Sequence, residues 1–173
     1  MRRRLLLQVT RTVAALAAVL PVAAVAAAQS ASGPVEVDVA HSDTYGDYLT
    51  DRGGTALYVA VAPGKVDQVN KSDTPPVASC TAACLQVWPP VLSEGAPQAG
   101  DGVAADKLST VKGPDGGTQV SYAGWPLYTF AADTSKGDTF GQAVVPPQGA
   151  ALGAAWYLIA PDGSVILTQP PQQ

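Results

Sequence analysis

Short runs in which apolar and polar residues alternate make up much of the chain after residue 34. In residues 35–40 every second residue is a valine, which is the pattern of a strand with one face on the core and one in solvent. Residues 45–50 and 55–62 flank an Asp-Arg-Gly-Gly segment at 51–54. We expect these two runs to be strands that form a hairpin.

The run GWPLYTFAAD, residues 124–133, combines three aromatic residues with a proline and ends in a carboxylate. Alternation along a strand would place Trp125, Leu127, Thr129 and Ala131 on one face and Pro126, Tyr128, Phe130 and Ala132 on the other. Two more hairpins are predicted around glycine-bearing turns, one over residues 111–122 and one over residues 155–167.

One segment has the pattern of an α-helix. Thr81 is placed to cap it, and Leu85 and Trp88 would fall on one side. Pro89 and Pro90 would end it, and residues 106–108 fit a single helical turn. Because βαβ units would need longer amphipathic helices, we predict an all-β or β-rich fold of antiparallel hairpins, with one short helix near Cys84.

Two pairs of aromatic residues indicate an internal repeat. Tyr58 and Tyr128 are seventy residues apart, and Trp88 and Trp156 are sixty-eight apart, which predicts two divergent copies of one unit. The predicted organisation is a signal peptide (1–28), an N-terminal segment with the first strand (29–44), a β-rich domain (45–167) with copies at about 45–92 and 118–167, and a tail (168–173).

The first residues are typical of a secretory signal peptide. Arg2, Arg3 and Arg4 precede an apolar, alanine-rich stretch at 13–28. The uncharged run is at the lower limit for crossing a membrane, so we expect cleavage before Gln29 and no stable membrane insertion afterwards. General and twin-arginine export both remain open.

Cleavage would change the charge of the chain. It removes four of the ten basic residues and none of the fourteen acidic ones, so the net charge falls from −4 to −8. A strongly acidic protein argues against nucleic acid or anionic lipid as a partner.

Several motifs occur together in the second half of the chain. Tyr128, Phe130 and Asp133 fit the pattern Y-x-(F/W/Y)-x-x-D, a CxxxC segment leads into Trp-Pro-Pro within residues 80–90, and Trp156 precedes a Pro-Asp-Gly turn. In this order, and over about residues 45–167, the chain resembles the bacterial secreted-repeat proteins, often described as predicted lipoproteins. The resemblance implies repeated β-units and an envelope or extracellular location, and it implies no particular activity.

The chain departs from the family pattern in two places. The first copy keeps Tyr58 but has Ala60 and Pro63 where the motif has an aromatic residue and an aspartate. Ala28 and Gln29 stand where many members carry a lipid-anchored cysteine. We therefore expect this chain to be soluble after cleavage.

Cys80 and Cys84 are the only cysteines, and a single pair in an exported chain predicts a disulfide. Residues four apart in an undistorted helix are too far apart for that bond. The disulfide therefore places Cys80 just before the helix and Cys84 in its first turn. A redox pair is the alternative, because a helix N-terminus lowers the pKa of a thiol.

We predict no catalytic residues. His41 is the only histidine, there is no G-x-S-x-G motif, and an exposed loop position is the simplest interpretation of His41. A hydrolase would need His41 in a triad or a suitable pair of carboxylates. That alternative stays open.

We also predict no metal and no cofactor. One histidine and a paired set of cysteines leave too few ligands for zinc or copper. A calcium site at residues 133–138 was the stronger candidate, but Lys136 lies among its acids. Asp133 is better explained as the cap of a turn.

One candidate ligand groove remains, lined by Trp125, Tyr128, Phe130 and Tyr157 with Phe140 nearby. Core packing would use the same aromatic residues, and we expect Tyr128 and Phe130 on one sheet face as core or near-core side chains. The expected function is that of an exported, non-catalytic binding or structural module with an unidentified protein, glycan or small-molecule partner. The alternatives are a redox partner that uses Cys80 and Cys84, and a hydrolase.

Overall fold

The computed structural model describes residues 33–62, 64–66, 82–114, 116–145 and 154–171. Its regular elements are strands β1 Glu36–Ser42, β2 Gly46–Asp51 and β3 Tyr58–Val61, helix α1 Ala82–Val87, strand β4 Gln98–Ala99, the 3-10 turn Ala105–Lys107, and strands β5 Leu108–Lys112, β6 Thr118–Tyr122, β7 Trp125–Pro126 and β8 Ala155–Leu158. The predicted fold class is confirmed, because the structure is β-rich with antiparallel pairing and a short helix at Cys84.

The predicted first strand is present as β1, and the structure shows the partners for which the sequence made no prediction. β1 and β2 form an antiparallel hairpin, with register from Val37 opposite Asp51 to Ser42 opposite Gly46. Strand β4 adds to the other edge of β1 in parallel, which gives a three-stranded sheet in the order β2-β1-β4. The parallel pairing of β1 with β4 joins distant parts of the chain, so no turn motif in the sequence predicts it.

The predicted hairpin between residues 45–50 and 55–62 forms only next to its turn. Asp51 N donates to Thr55 O at 2.9 Å, and Leu57 N donates to Leu49 O at 2.9 Å. Beyond that point β3 leaves β2 and pairs antiparallel with β8. All four residues of β3 are buried, and a strand that is apolar on both faces needs cover on both sides.

The hairpin predicted over residues 111–122 is present as β5 and β6. β7 then follows β6 through Ala123 and Gly124, whose φ angles are +47° and +83°; two left-handed residues are the requirement of a type I′ hairpin turn. The predicted strand over 124–133 is shorter than expected. Its regular pairing ends at β7, with an isolated bridge at Tyr128, and the chain turns at residues 131–132.

The hairpin predicted over residues 155–167 is also present. Ala160 N donates to Ser164 O at 2.8 Å and Ile166 N donates to Leu158 O at 2.9 Å, on either side of an Ile159–Val165 bridge. The turn therefore lies at the predicted Pro-Asp-Gly segment, residues 161–163.

Helix α1 lies where the sequence predicts it, and Trp88 follows its last residue. Leu85 packs against the core, as does the buried Trp88. The predicted turn at 106–108 is the 3-10 turn Ala105–Lys107, one residue earlier. The predicted helix cap Thr81, the signal peptide at 1–28 and Cys80 lie outside the described residues.

The ribbon of β3 and β8 separates two apolar clusters. The first cluster contains Leu57, Val59, Val61, Leu127, Trp125 and Tyr157, among others. The second contains Tyr58, Ala60, Trp88, Tyr128, Trp156 and Leu158, with Phe130 packed against it. Successive residues of each strand alternate between the clusters. As predicted, Trp125 and Leu127 lie on one face, and Tyr128 and Phe130 lie on the opposite face.

In the part of the chain that the structure describes, no helix has both the length and the apolar character needed to cross a membrane.

Candidate functional site

Four aromatic residues that are related in pairs by the sequence repeat lie in contact with one another. Tyr58 and Tyr128 exchange two backbone hydrogen bonds, of 2.8 and 2.9 Å. The rings of Trp88 and Trp156 are stacked, with centroids 4.0 Å apart and planes 3° apart. We call these four residues the aromatic quartet.

The other contacts of the aromatic quartet repeat one geometry. Tyr58 meets Trp88 edge to face at 5.5 Å and 77°, and Tyr128 meets Trp156 edge to face at 5.1 Å and 85°. Each predicted copy thus contributes one tyrosine and one tryptophan in the same relation, and the two halves of the quartet face each other. Residues 45–92 and 118–167 share this core and do not form separate units.

The motif residues Tyr128, Phe130 and Asp133 differ in burial and in partners. Tyr128 is buried, while Phe130 is half-buried and packs on Trp88 with ring centroids 4.4 Å apart. Asp133 Oδ2 accepts a 2.6 Å hydrogen bond from the Tyr58 hydroxyl. The aspartate of the second copy is therefore bound by the tyrosine of the first copy.

Asp133 also closes the segment that follows it. Its Oδ1 accepts from Phe140 N at 2.9 Å, and Asp138 accepts from the backbone N–H groups of residues 134 and 135. The prediction made Asp133 the cap of the following turn, but Asp138 makes those local bonds, and Asp133 instead closes the segment through Phe140 N, seven residues on. Residues 133–142, which we call the clamp loop, are thereby held against the aromatic quartet.

The clamp loop contacts the core through Gly141 and Gln142. A Cβ at Gly141 would lie 2.7 Å from the Tyr58 ring and 3.0 Å from Trp88, so only glycine fits there without a shift. The Gln142 side chain donates to the carbonyls of Ile166 and Thr168, at 2.7 and 2.8 Å. Its Oε1 accepts from Leu158 N at 2.7 Å. The buried Gln142 side chain thus bonds backbone groups of β8 and of the segment after it, as a neighbouring strand would.

The hydroxyl of Tyr128 is not satisfied in the same way as that of Tyr58. Among the described residues, the buried Tyr128 Oη and Gln119 Oε1 have no partner in good hydrogen-bond geometry. The two side chains still interact, because the Gln119 side chain lowers the pKa of Tyr128 against the rise that burial causes. By the repeat, Pro63 stands in the first copy where Asp133 stands in the second. A proline offers no carboxylate, which explains why the Tyr128 hydroxyl has no equivalent acceptor.

Burial and hydrogen bonding compete at the Tyr58–Asp133 pair. Burial raises the pKa of Asp133, and the hydrogen bonds from Tyr58 and from Phe140 N partly offset this rise. Burial also raises the pKa of Tyr58 far above its ordinary value, and the neighbouring Asp133 adds to the shift. The pair therefore holds the phenol proton on Tyr58 at neutral pH.

A surface cleft of about 680 Å³ lies beside the β1–β2 hairpin, on the face that carries Asp38, Tyr48 and Thr50. Its lining includes Asp38, Tyr48, Thr50, Asp101 and Lys136, and we call it the β1–β2 cleft. Burial raises the pKa of Tyr48, and the charge of Asp133 raises it further. The charge of the motif aspartate therefore acts on one lining residue of the cleft, although Asp133 itself does not line it.

The matched part of the chain is the part that carries the motif. Residues 109–146 match the family model of a secreted repeat of unknown function. The matched segment, here called the secreted-repeat segment, includes β5, β6, β7 and the clamp loop, and so supplies Asp133 and Lys136. No curated protein and no solved structure matches the chain.

The structure does not bring the four residues of the predicted ligand groove to one surface. Trp125 and Tyr157 are buried in the first cluster, whereas Tyr128 and Phe130 belong to the second, across the β3–β8 ribbon. Strand alternation separates them, since neighbouring residues point to opposite faces. Phe140, in the secreted-repeat segment, is 66% exposed.

The remaining candidates lie apart from the motif. Cys84 is half-buried within α1 and packs against the second cluster, and its predicted bond to Cys80 stays a prediction. His41 is exposed, and within the described ranges its side-chain partners are carboxylates, with Asp47 at 2.7 Å. No group of three or more His, Cys, Asp or Glu side chains among the described residues could hold a metal ion.

Sequence reasoning missed the cross-copy bond and the β1–β2 cleft. The Tyr58–Asp133 bond could have been considered from the sequence. The repeat contains two equivalent tyrosines but one motif aspartate, so either Tyr58 or Tyr128 could have been its partner. The cleft had none, since it joins β1, β2, the loop after β4 and the clamp loop, which are distant in sequence.

Proposed function

We propose that this protein is an exported, non-catalytic module of the cell envelope or extracellular space, and that it binds its partner in the β1–β2 cleft. One observation carries the proposal. The motif aspartate, Asp133, is bound within the protein, whereas Asp38, Asp101 and Lys136, which line the cleft, have no hydrogen bond or ion pair among the described residues. The description of the matched family as secreted supports the location.

The contacts of Asp133 favour a structural role for the motif. Both carboxylate oxygens accept hydrogen bonds from within the protein, and Asp133 does not line the cleft, whereas Lys136 and Gly137 of the same loop do. A catalytic acid or base needs an oxygen that can reach a substrate. The motif thus supports the cleft and does not contact the partner.

The charges of the cleft favour a polar partner. Carboxylates of Asp38 and Asp101 and the ammonium group of Lys136 surround two hydroxyl-bearing residues, Tyr48 and Thr50. Binding sites of this size usually combine a concave surface with a few placed polar groups. An acidic mature chain disfavours nucleic acid.

The proposal is tested by NMR on the isotopically labelled, secreted protein. A panel of neutral sugars, charged sugars, amino acids, short peptides and nucleotides is added in turn, and backbone amide shifts are recorded. We expect binding compounds to shift amides of β1, β2 and residues 136–137. The matched control is the amide set of β5 and β6, on a different sheet, which should not shift.

Two results would contradict the proposal. Shifts that cluster away from the cleft would place the binding surface elsewhere. Chemical turnover of a panel compound, lost in His41→Ala or in a carboxylate variant, would show a hydrolase, and thiol exchange lost in Cys84→Ser would show a redox partner.

A further inference from the structure

We propose that the β1–β2 cleft binds a short peptide with free termini, which places its ammonium group at Asp38 and Asp101 and its carboxylate at Lys136. This inference rests on the proposed function, since it names the ligand class of the same cleft. Four features of the cleft carry it: an acidic end, a basic end, a floor of hydroxyl groups, and the distance between the ends.

The acidic end is built by the parallel pairing of β4 with β1. Gly100 N donates to Val37 O at 2.7 Å, and a Cβ at Gly100 would collide with the Asp38 carboxylate. The Asp38 carboxylate therefore lies against residue 100, next to Asp101. Neither carboxylate has a hydrogen bond or ion pair within the described ranges, and both line the cleft, so both are available to a cationic group of a ligand.

The basic end is built by the clamp loop on the turn after β2. Gly137 N donates to Gly54 O at 3.3 Å, and a Cβ at Gly54 would lie 2.6 Å from the Lys136 side chain. The absence of a side chain at Gly54 thus gives the Lys136 stem its place, with the ammonium group at the cleft.

Lys136 is the cation of the cleft that remains available. Arg52, which also lines the cleft, pairs with Glu36 at 3.1 Å. Lys136 has no ion-pair partner among the residues that the structure describes. An anionic group of the ligand would therefore be held by Lys136.

The floor between the two ends consists of buried side chains with available hydroxyl groups. Tyr48 and Thr50 are each only 2% exposed, and neither hydroxyl has a hydrogen-bond partner within the described part of the chain. Both residues line the cleft. Neither hydroxyl is among the buried polar atoms that lack a partner, so both are accessible at the cleft surface, where the N–H and C=O groups of a peptide would bond them.

The distance between the ends sets the length of the ligand. Asp101 follows β4 and the turn that holds Lys136 follows β2, and β1 with its Asp38 lies between them. Neighbouring strands are about 4.8 Å apart, so Asp101 and the Lys136 turn are separated by roughly 10 Å, and Asp38 lies nearer to Lys136. An extended chain covers about 3.3–3.6 Å per residue, which matches a peptide of about three residues.

The test is a calorimetric titration of the secreted protein with the tripeptide Ala-Ala-Ala. We expect binding that weakens about tenfold or more when the peptide is N-acetylated, and likewise when it is C-amidated, because each change removes one charged end. Asp101→Asn should weaken the free peptide but not the acetylated one. Lys136→Met should weaken the free peptide but not the amidated one.

Matched controls use the same substitutions outside the cleft. Asp106→Asn and Lys112→Met should bind the free tripeptide like the unchanged protein, since both residues lie on or before β5. Equal affinity for free and blocked peptides, or an unchanged affinity in Lys136→Met, would overturn the inference. If sugars shift the cleft amides while Ala-Ala-Ala does not bind, the ligand class is wrong and the cleft is still a binding site. If no compound shifts them, both proposals fail.

Discussion

At the scale of single residues, Tyr58 and Tyr128 show how a repeat can diverge in chemistry while keeping its geometry. Their backbones pair with each other, and each ring meets a tryptophan edge to face. Only the Tyr58 hydroxyl has a carboxylate partner, because Asp133 has no counterpart at Pro63. The tyrosine in the less complete copy therefore makes the stronger hydrogen bond.

This difference predicts unequal costs for two identical substitutions. Tyr58→Phe removes a donor to a half-buried carboxylate and an acceptor for Gly141 N, so we expect it to lower the free energy of unfolding by about 1–3 kcal/mol. Tyr128→Phe removes a buried hydroxyl whose neighbour is the neutral Gln119 side chain and which has no carboxylate partner, and we expect a smaller loss of about 0.5–1 kcal/mol. Urea denaturation of both variants measures the difference.

A double variant serves as the control for this prediction. If the Tyr58 hydroxyl acts through Asp133, Tyr58→Phe should cost less in an Asp133→Asn background than in the unchanged protein. An equal cost of the two tyrosine substitutions would show that the interaction of Tyr128 with Gln119 is as strong as that of Tyr58 with Asp133.

At the scale of elements, the local turns could be predicted and the long-range pairings could not. Glycine-bearing turns announced the β5–β6 hairpin and the turn at residues 161–163, because a turn depends on a few adjacent residues. The pairing of β3 with β8 depends on burial of both faces, and the pairing of β1 with β4 joins distant segments. Neither leaves a signal in a short window of sequence.

The clamp loop is the element on which the site depends most. Its first residue, Asp133, is predicted to cap the following turn, but Asp138 caps that turn and Asp133 binds Phe140 N near the other end of the loop. Gln142 gave no signal, because a glutamine that replaces strand hydrogen bonds cannot be distinguished from a surface glutamine in a sequence. The same holds for Gly141, whose close approach to Tyr58 and Trp88 is visible only in the fold.

The raised pKa of Asp133 predicts a pH dependence of stability. Because the folded-state pKa lies above the ordinary value near 3.8, this contribution to stability is fully present below that value. It is lost as the pH rises through the folded-state pKa. Asp133→Asn cannot titrate, so the free energy of unfolding of the unchanged protein minus that of the variant should fall as the pH rises from about 4 to 7.

Urea denaturation at several pH values measures this difference. Asp162 has a lowered pKa and acts in the opposite direction, but it is present in both proteins and cancels. A difference that rises with pH would mean that the two hydrogen bonds to Asp133 outweigh its burial.

At the scale of the whole molecule, the two predicted copies contribute to one core. The repeat in the sequence predicted that Tyr58 and Tyr128, and Trp88 and Trp156, occupy similar positions in two units. It did not predict that the related residues contact each other. The β3–β8 ribbon pairs a strand of one copy with a strand of the other, so neither copy can bury its apolar residues alone.

The site follows from the same arrangement. The secreted-repeat segment supplies the clamp loop, while β1 and β2, which lie before that segment, supply the floor of the cleft. A motif confined to residues 128–133 therefore pointed to a supporting element, and the residues proposed to contact the ligand had no motif of their own.

The last prediction concerns export and the cysteine pair. Mass spectrometry of the secreted protein should show a mature start near Gln29 and a mass two protons below that of the fully reduced chain. Replacing both cysteines with serine should lower the free energy of unfolding by about 2 kcal/mol, the value expected for a small closed loop. The substitution should leave the affinity of the β1–β2 cleft unchanged, because Cys84 lies in α1 and does not line that cleft. A retained N-terminal segment or two reduced thiols would contradict the prediction.

If the double serine variant has unchanged stability but has lost thiol exchange, the cysteine pair belongs to redox chemistry instead.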